Sequence, residues 1–199
     1  MAASDLVIQQ GKTFDKALRW ESAPIVYKSI TGVAKQAPAS ITCVSHGVPD
    51  GWRVTVVSVK GMTQINSKNN PPKDKDYARA TVVDSDTIEL NTVNAADYKA
   101  YTSGGYVQYN TPTDMASYTA RMSIKDKIGG TELLPLTTAN SRILLDNVAK
   151  TITLTITAAD TAAITWKKGV YDLEMVSPSD VVTKLLSGSV SVEQEVTTT

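Results

Sequence analysis

Cysteine, histidine and phenylalanine each occur once in this chain of 199 residues. A single cysteine, Cys43, excludes an intrachain disulfide framework, so the fold must stand on its core, which fits a reducing compartment. A single histidine, His46, excludes a histidine-rich metal site. The 20 basic and 20 acidic side chains cancel to a formal charge of +0. That removes any long-range pull on nucleic acid or an anionic membrane. No stretch approaches the roughly 18 apolar residues of a membrane helix. The opening Met1-Ala2-Ala3-Ser4-Asp5 has neither the basic start nor the apolar run of a signal peptide. These absences predict a soluble protein, made and assembled in the cytoplasm.

What is present is strand. Hydrophobic residues make up 42%, enough for a packed core. Thr151 to Ile156 alternates throughout, with Ile152, Leu154 and Ile156 on one face and three threonines on the other. Tyr118 to Lys125, Tyr171 to Met175 and Ser189 to Glu193 alternate in the same way, as antiparallel strands with one wet face do. Ser177-Pro178-Ser179-Asp180 reads as the turn of a hairpin between Tyr171–Val176 and Val181–Leu186. One short helix is predicted over residues 157–164, capped by Thr157 with Asp160 three residues on. Between these parts lies a self-contained block with its own strands at Ser40–Val44, Arg53–Val59, Ala78–Val83, Thr87–Leu90 and Tyr106–Tyr109. It contains a polar, proline-broken loop from Lys68 to Asp76, expected to be mobile. The pattern from Thr13 to Ile30 is left unfinished and resumes at Tyr118, which predicts one β domain written inside another. The expected boundaries are 1–32 plus 112–199 for the outer domain and 33–111 for the insert.

Four ordered motifs mark the insert: Ser45-His46-Gly47 with Pro49-Asp50-Gly51, Gly61-Met62-Thr63-Gln64-Ile65-Asn66, Asp84-Ser85-Asp86-Thr87-Ile88-Glu89-Leu90, and Tyr98-Lys99-Ala100-Tyr101-Thr102-Ser103-Gly104-Gly105. The block resembles the small β-barrel module named after the first catalytic-cysteine half-domain of ubiquitin-activating enzymes, which recurs in phage structural proteins. The family usually follows Asn66 with glycine, whereas Ser67 stands here. The enzyme's catalytic cysteine lies outside that half-domain, so the resemblance implies no ubiquitin chemistry. The outer domain carries Gln9-Gln10-Gly11-Lys12-Thr13-Phe14, Tyr118-Thr119-Ala120-Arg121-Met122, Ile156 to Ala163, Gly169 to Glu174 and Val182 to Val190. It is similar to tailed-bacteriophage virion proteins coded among tail-fibre and baseplate genes, in particular the N-terminal β-domain of upper baseplate proteins. That likeness implies a tail-associated structural or adaptor role.

Each residue with latent chemistry has a plainer reading. His46 could be a base or ligand, but it sits in the His-Gly turn motif. Cys43 lies three residues from it on a strand that turns, without an orienting acid or oxyanion hole, and reads as a small buried hydrophobe. Asp84 and Asp86 lack the spacing and glycine of a calcium loop. Asp172 and Glu174 share a strand face, where Lys184 is a cross-strand partner, and form a glycosidase pair only if a cleft surrounds them. Trp20, Trp52 and Trp166 could stack sugars or fill interfaces, and Trp20 and Trp166 read as core or subunit contacts before sugar platforms. Gly104-Gly105 is a turn, not a phosphate cradle.

The fold expected is all-β: an antiparallel β-sandwich with one short helix, interrupted by an inserted small β-barrel. No catalytic, cofactor-binding or metal residue is predicted, and no enzyme activity. The expected function is a structural part of a phage virion, a tail-associated adaptor or fibre/baseplate-attachment protein. Its partners would be tail, fibre or baseplate subunits and further copies of itself in a homo-oligomer, with no nucleic acid or membrane. The alternatives are a module binding a host-surface glycan or protein, and a head decoration protein. A polysaccharide depolymerase lacks its catalytic constellation.

Overall fold

A computed structural model describes residues 2–195. The described residues form two compact units, one from 2–20 and 114–195, the other from Glu21–Thr113. The chain opens with β1 (Ala2–Ala3), β2 (Leu6–Gln9) and β3 (Phe14–Leu18). The second unit follows as β4 (Glu21–Ser29), β5 (Gly32–Ala34), β6 (Ala39–Thr42), β7 (Arg53–Val57), β8 (Ala78–Val82), β9 (Thr87–Leu90) and β10 (Tyr106–Pro112). The chain then completes the first unit with β11 (Thr119–Lys125), β12 (Glu132–Thr137), β13 (Ile143–Asp146), β14 (Thr151–Ile156), helix α1 (Ala158–Ala162), β15 (Lys168–Val176) and β16 (Val182–Glu193).

The first unit is a β-sandwich. Its larger sheet runs β1–β16–β15–β11–β12, with β2 also on β16, and its smaller sheet runs β13–β14–β3. Every second residue of β14 is buried, so Ile152, Leu154 and Ile156 meet Met122, Ile124 and Leu173 of the larger sheet in one core. Burial of each such side chain contributes roughly 1.5–3 kcal/mol. The pairing is antiparallel except where β1 and β2 lie parallel to β16. These two are the first strands of the chain beside the last, so a long connection replaces the hairpin that an antiparallel neighbour needs. Helix α1 is shorter than the sequence suggests, ending at Ala162. The Thr157 hydroxyl accepts from the Asp160 N–H at 3.1 Å, and Asp160 meets Arg142 at 3.0 Å. The Thr161 hydroxyl donates to the Lys12 carbonyl at 2.8 Å, tying the helix to the loop before β3.

The second unit is a single curled ladder in the order β4–β10–β7–β8–β9–β6–β5. Its two ends meet along one stretch of chain. Ile30 N–H donates to Gly105 at 3.0 Å on the β10 side, and Thr31 N–H donates to Thr42 at 2.9 Å on the β6 side. Inside lie Trp52, Ile41, Met62, Ile88 and Val107, all fully buried.

The unit boundaries differ from those expected. The first junction falls at Trp20/Glu21 rather than 32/33, and the second at Thr113/Asp114 rather than 111/112. The cause is β4, which pairs with β10 from Ser29 opposite Tyr106 to Glu21 opposite Pro112, with a bulge at Asn110/Thr111. Trp20 stays with the first unit, edge-to-face against Tyr118 at 5.7 Å. The same register sets the chain's entry to the second unit beside its exit, the geometry in which one domain interrupts another.

Candidate functional site

His46 and the two aspartates of the β8–β9 turn form one hydrogen-bonded lock. His46 Nδ1 accepts from the Val48 N–H at 2.9 Å, so Nε2 carries the proton and donates to the Asp84 carbonyl at 2.9 Å. Both ring nitrogens are thereby used, and the side chain is 2% exposed. Asp86 accepts from the Ser45 N–H at 2.8 Å, and the Tyr109 hydroxyl donates to the His46 carbonyl at 2.6 Å. Asp84 accepts from the Asp86 N–H, which holds its carboxyl below the ordinary aspartate range. Cys43 lies in the core beneath, where burial pushes its thiol up and away from the reactive thiolate. Ser45 takes a left-handed φ of 50° in this turn. His46, Asp84 and Asp86 therefore fasten two turns together, and the Cys43 thiol is part of the core.

The other motifs of the insert do similar work. Asn66 accepts from the Val59 N–H at 2.8 Å and donates to the Val59 carbonyl at 3.0 Å, so its amide imitates a strand partner across the turn. Gly61, at φ +79°, passes so close to the Ala100 carbonyl that a Cβ would stand 2.3 Å from it. Gly105 passes Val59 equally closely. The Tyr101 hydroxyl donates to Ile30 at 3.0 Å, where the ladder closes. Trp52 is fully buried and donates from Nε1 to the Asn110 carbonyl at 3.0 Å.

The face bearing Asp172 and Glu174 carries two ion pairs. Lys184 meets Asp172 at 2.6 Å, and Arg121 meets Glu174 at 2.8 Å. The Asp172 hydrogen bond raises the Lys184 ammonium above its ordinary value. An open groove of about 430 Å³ lies alongside, bordered by Lys125, Lys127 and Lys184. Trp166 is half-buried against the sandwich core. Among the described residues no group of three or more His, Cys, Asp and Glu side chains is placed to hold a metal, and no helix is long and apolar enough to cross a membrane.

A second groove, of about 380 Å³, was not foreseen from sequence. It lies on the second unit, bordered by Ile25 and Tyr27 of β4, by Gln108 of β10 and by the loop at Asn69–Pro72. That loop folds around one carboxylate. Asp76 accepts from Lys73 N–H at 2.8 Å, Asn69 Nδ2 at 2.8 Å and Lys68 N–H at 3.3 Å, which holds it below its ordinary range. Residues 74–76 form a 3-10 turn there, where the sequence shows only a polar loop. The Ile25-x-Tyr27 alternation was the available signal, but Pro24 obscured it.

No protein-family model matches the chain, and no curated protein matches it in sequence.

Proposed function

We propose that this chain is a non-enzymatic structural component of a bacteriophage virion, a tail-associated adaptor or fibre/baseplate-attachment protein. One observation carries the reading: the residues on which the chain resembles phage modules are the ones that fasten its fold. His46, Asp84, Asp86, Asn66, Gly61 and Gly105 all act as turn locks, and Asp172 and Glu174 are each neutralised by a separate cation. Such a chain works by shape. A rigid sandwich offers sheet faces and edges to neighbouring subunits, and the unit inserted in its sequence presents loops. Tail, fibre or baseplate subunits are the partners, with further copies of the chain in a symmetric ring or trimer.

Gold-labelled antibody against the chain, applied to tailed particles purified from the source lysate, tests this. Label at the tail supports the adaptor, label over the head reassigns the chain to decoration, and unlabelled intact particles overturn the virion reading. Attachment to a host-surface glycan is the second reading, favoured by the groove beside Tyr27.

A further inference from the structure

The groove beside Tyr27 stands apart from the rest of the surface in its chemistry. One residue in five of the chain is charged (20%), yet no residue lining the groove is. Its wall on β4 is Tyr27, 55% exposed, whose ring is braced edge-on by Tyr106 at 6.2 Å and 87°. The opposite wall is Asn69, Asn70 and Pro71, fixed through Asp76. Gln108 lines it too, 3% exposed and on the face of β10 opposite the core, with Nε2 tied to the Tyr77 hydroxyl at 3.3 Å.

We infer that this groove binds a neutral saccharide. An exposed aromatic face carries partial negative charge and attracts the C–H face of a pyranose ring. Tyr106 sets the ring's orientation beforehand, so little side-chain freedom is lost on binding. Carboxamides offer a donor and an acceptor at fixed spacing, which suits adjacent sugar hydroxyls. Among the described residues the Asn70 amide has no hydrogen-bond partner in the chain, and the Asn69 NH₂ is held by Asp76. A phosphate, a nucleic acid or an acidic peptide would find no cation in this groove, whereas a neutral polyol leaves no charge uncompensated. The volume of about 380 Å³ falls within the small-ligand range of about 300–1,000 Å³.

The inference goes beyond the virion reading and fails separately from it. A chain that labels tails but ignores sugars loses the groove's role and keeps the adaptor. A chain that binds sugars but is absent from particles does the reverse.

The test uses the full chain on an array of neutral and acidic oligosaccharides, followed by calorimetric titration of each bound sugar. Tyr27→Ala, Tyr27→Phe and Asn70→Ala are titrated beside it, with thermal midpoints confirming that each variant is folded. A neutral oligosaccharide is expected to bind, about tenfold or more weakly to Tyr27→Ala and within about threefold of native to Tyr27→Phe. Asn70→Ala is expected to weaken it by about threefold or more. The inference is overturned by silence toward neutral sugars up to about 10 mM. It is also overturned by binding that Tyr27→Ala leaves unchanged, or by binding confined to acidic sugars. A photo-cross-linker at position 27 that captures a protein in place of a sugar overturns it as well.

Discussion

In the unit built from Glu21–Thr113 the hydrogen-bond ladder returns to where it began, while in the other unit it stops at open edges. The first arrangement uses one stretch of chain twice, β4 on β10 and β5 on β6. The second leaves β12 at the end of the larger sheet and β13 and β3 at the ends of the smaller one. Pro135 interrupts donation along β12, and β13 is only four residues long, both usual ways of blunting an edge. Leu144 on β13 and Val148 just after it remain exposed. The difference lies in the end strands: in the curled ladder, β4 and β5 are consecutive in the chain and are joined at Ile30-Thr31, whereas in the sandwich the end strands come from distant stretches.

The cores should fail separately. Trp52→Ala is expected to cost the barrel about 3–5 kcal/mol, and Leu154→Ala to cost the sandwich about 2–5 kcal/mol. Hydrogen exchange should show each loss of protection confined to its own unit. Loss spreading across both would contradict two independent cores. Next in size come two glycines in the left-handed region. Gly105→Ala drives a Cβ against Val59 and should destabilise the barrel by about 1–3 kcal/mol. Gly129→Ala, at φ +72° with nothing within 4 Å, should cost only the local backbone term of roughly 1 kcal/mol in denaturant unfolding.

Acid should act on both units alike. Asp76 and Asp84 in the barrel, and Asp5, Asp114 and Asp160 in the sandwich, sit below the ordinary value of 3.8. The unfolded chain therefore takes up protons first, so the stabilisation is complete above the ordinary value and is lost as pH falls through it toward the lower folded values. The thermal midpoint should stay level from neutral pH to about 5 and fall below about 4, and a rise on acidification would contradict the assignment. Smallest is Lys184→Ala. It opens an exposed pair with Asp172, and the sandwich's midpoint should scarcely move.

The sequence pattern was most readable where one face of a strand is wet. Thr151–Ile156 matches β14 residue for residue, and β7 to β10 fall within a few residues of their expected places. It was least readable at β4, where Pro24 and several exposed positions hide the alternation, and this misplaced the first junction. Strands β12 and β13 are not legible in the sequence, because Pro135 breaks one pattern and the other is four residues long. The locking role of His46 was readable from its motif, whereas its partners came from the distant β8–β9 turn. The groove was not readable, because Gln108 meets Tyr27 only through the β4–β10 pairing and Asn70 comes from the connection between β7 and β8.

The fold rests on one compact β-unit interrupting another. Replacing 21–113 by a short Gly-Ser linker from Trp20 to Asp114 tests it most directly, because Glu21 lies opposite Pro112. Hydrogen exchange on the shortened chain should show the β14 amides of Ile152 and Leu154 as slow to exchange as in the full chain. Rapid exchange throughout the remainder would mean that the sandwich cannot stand without the unit inside it.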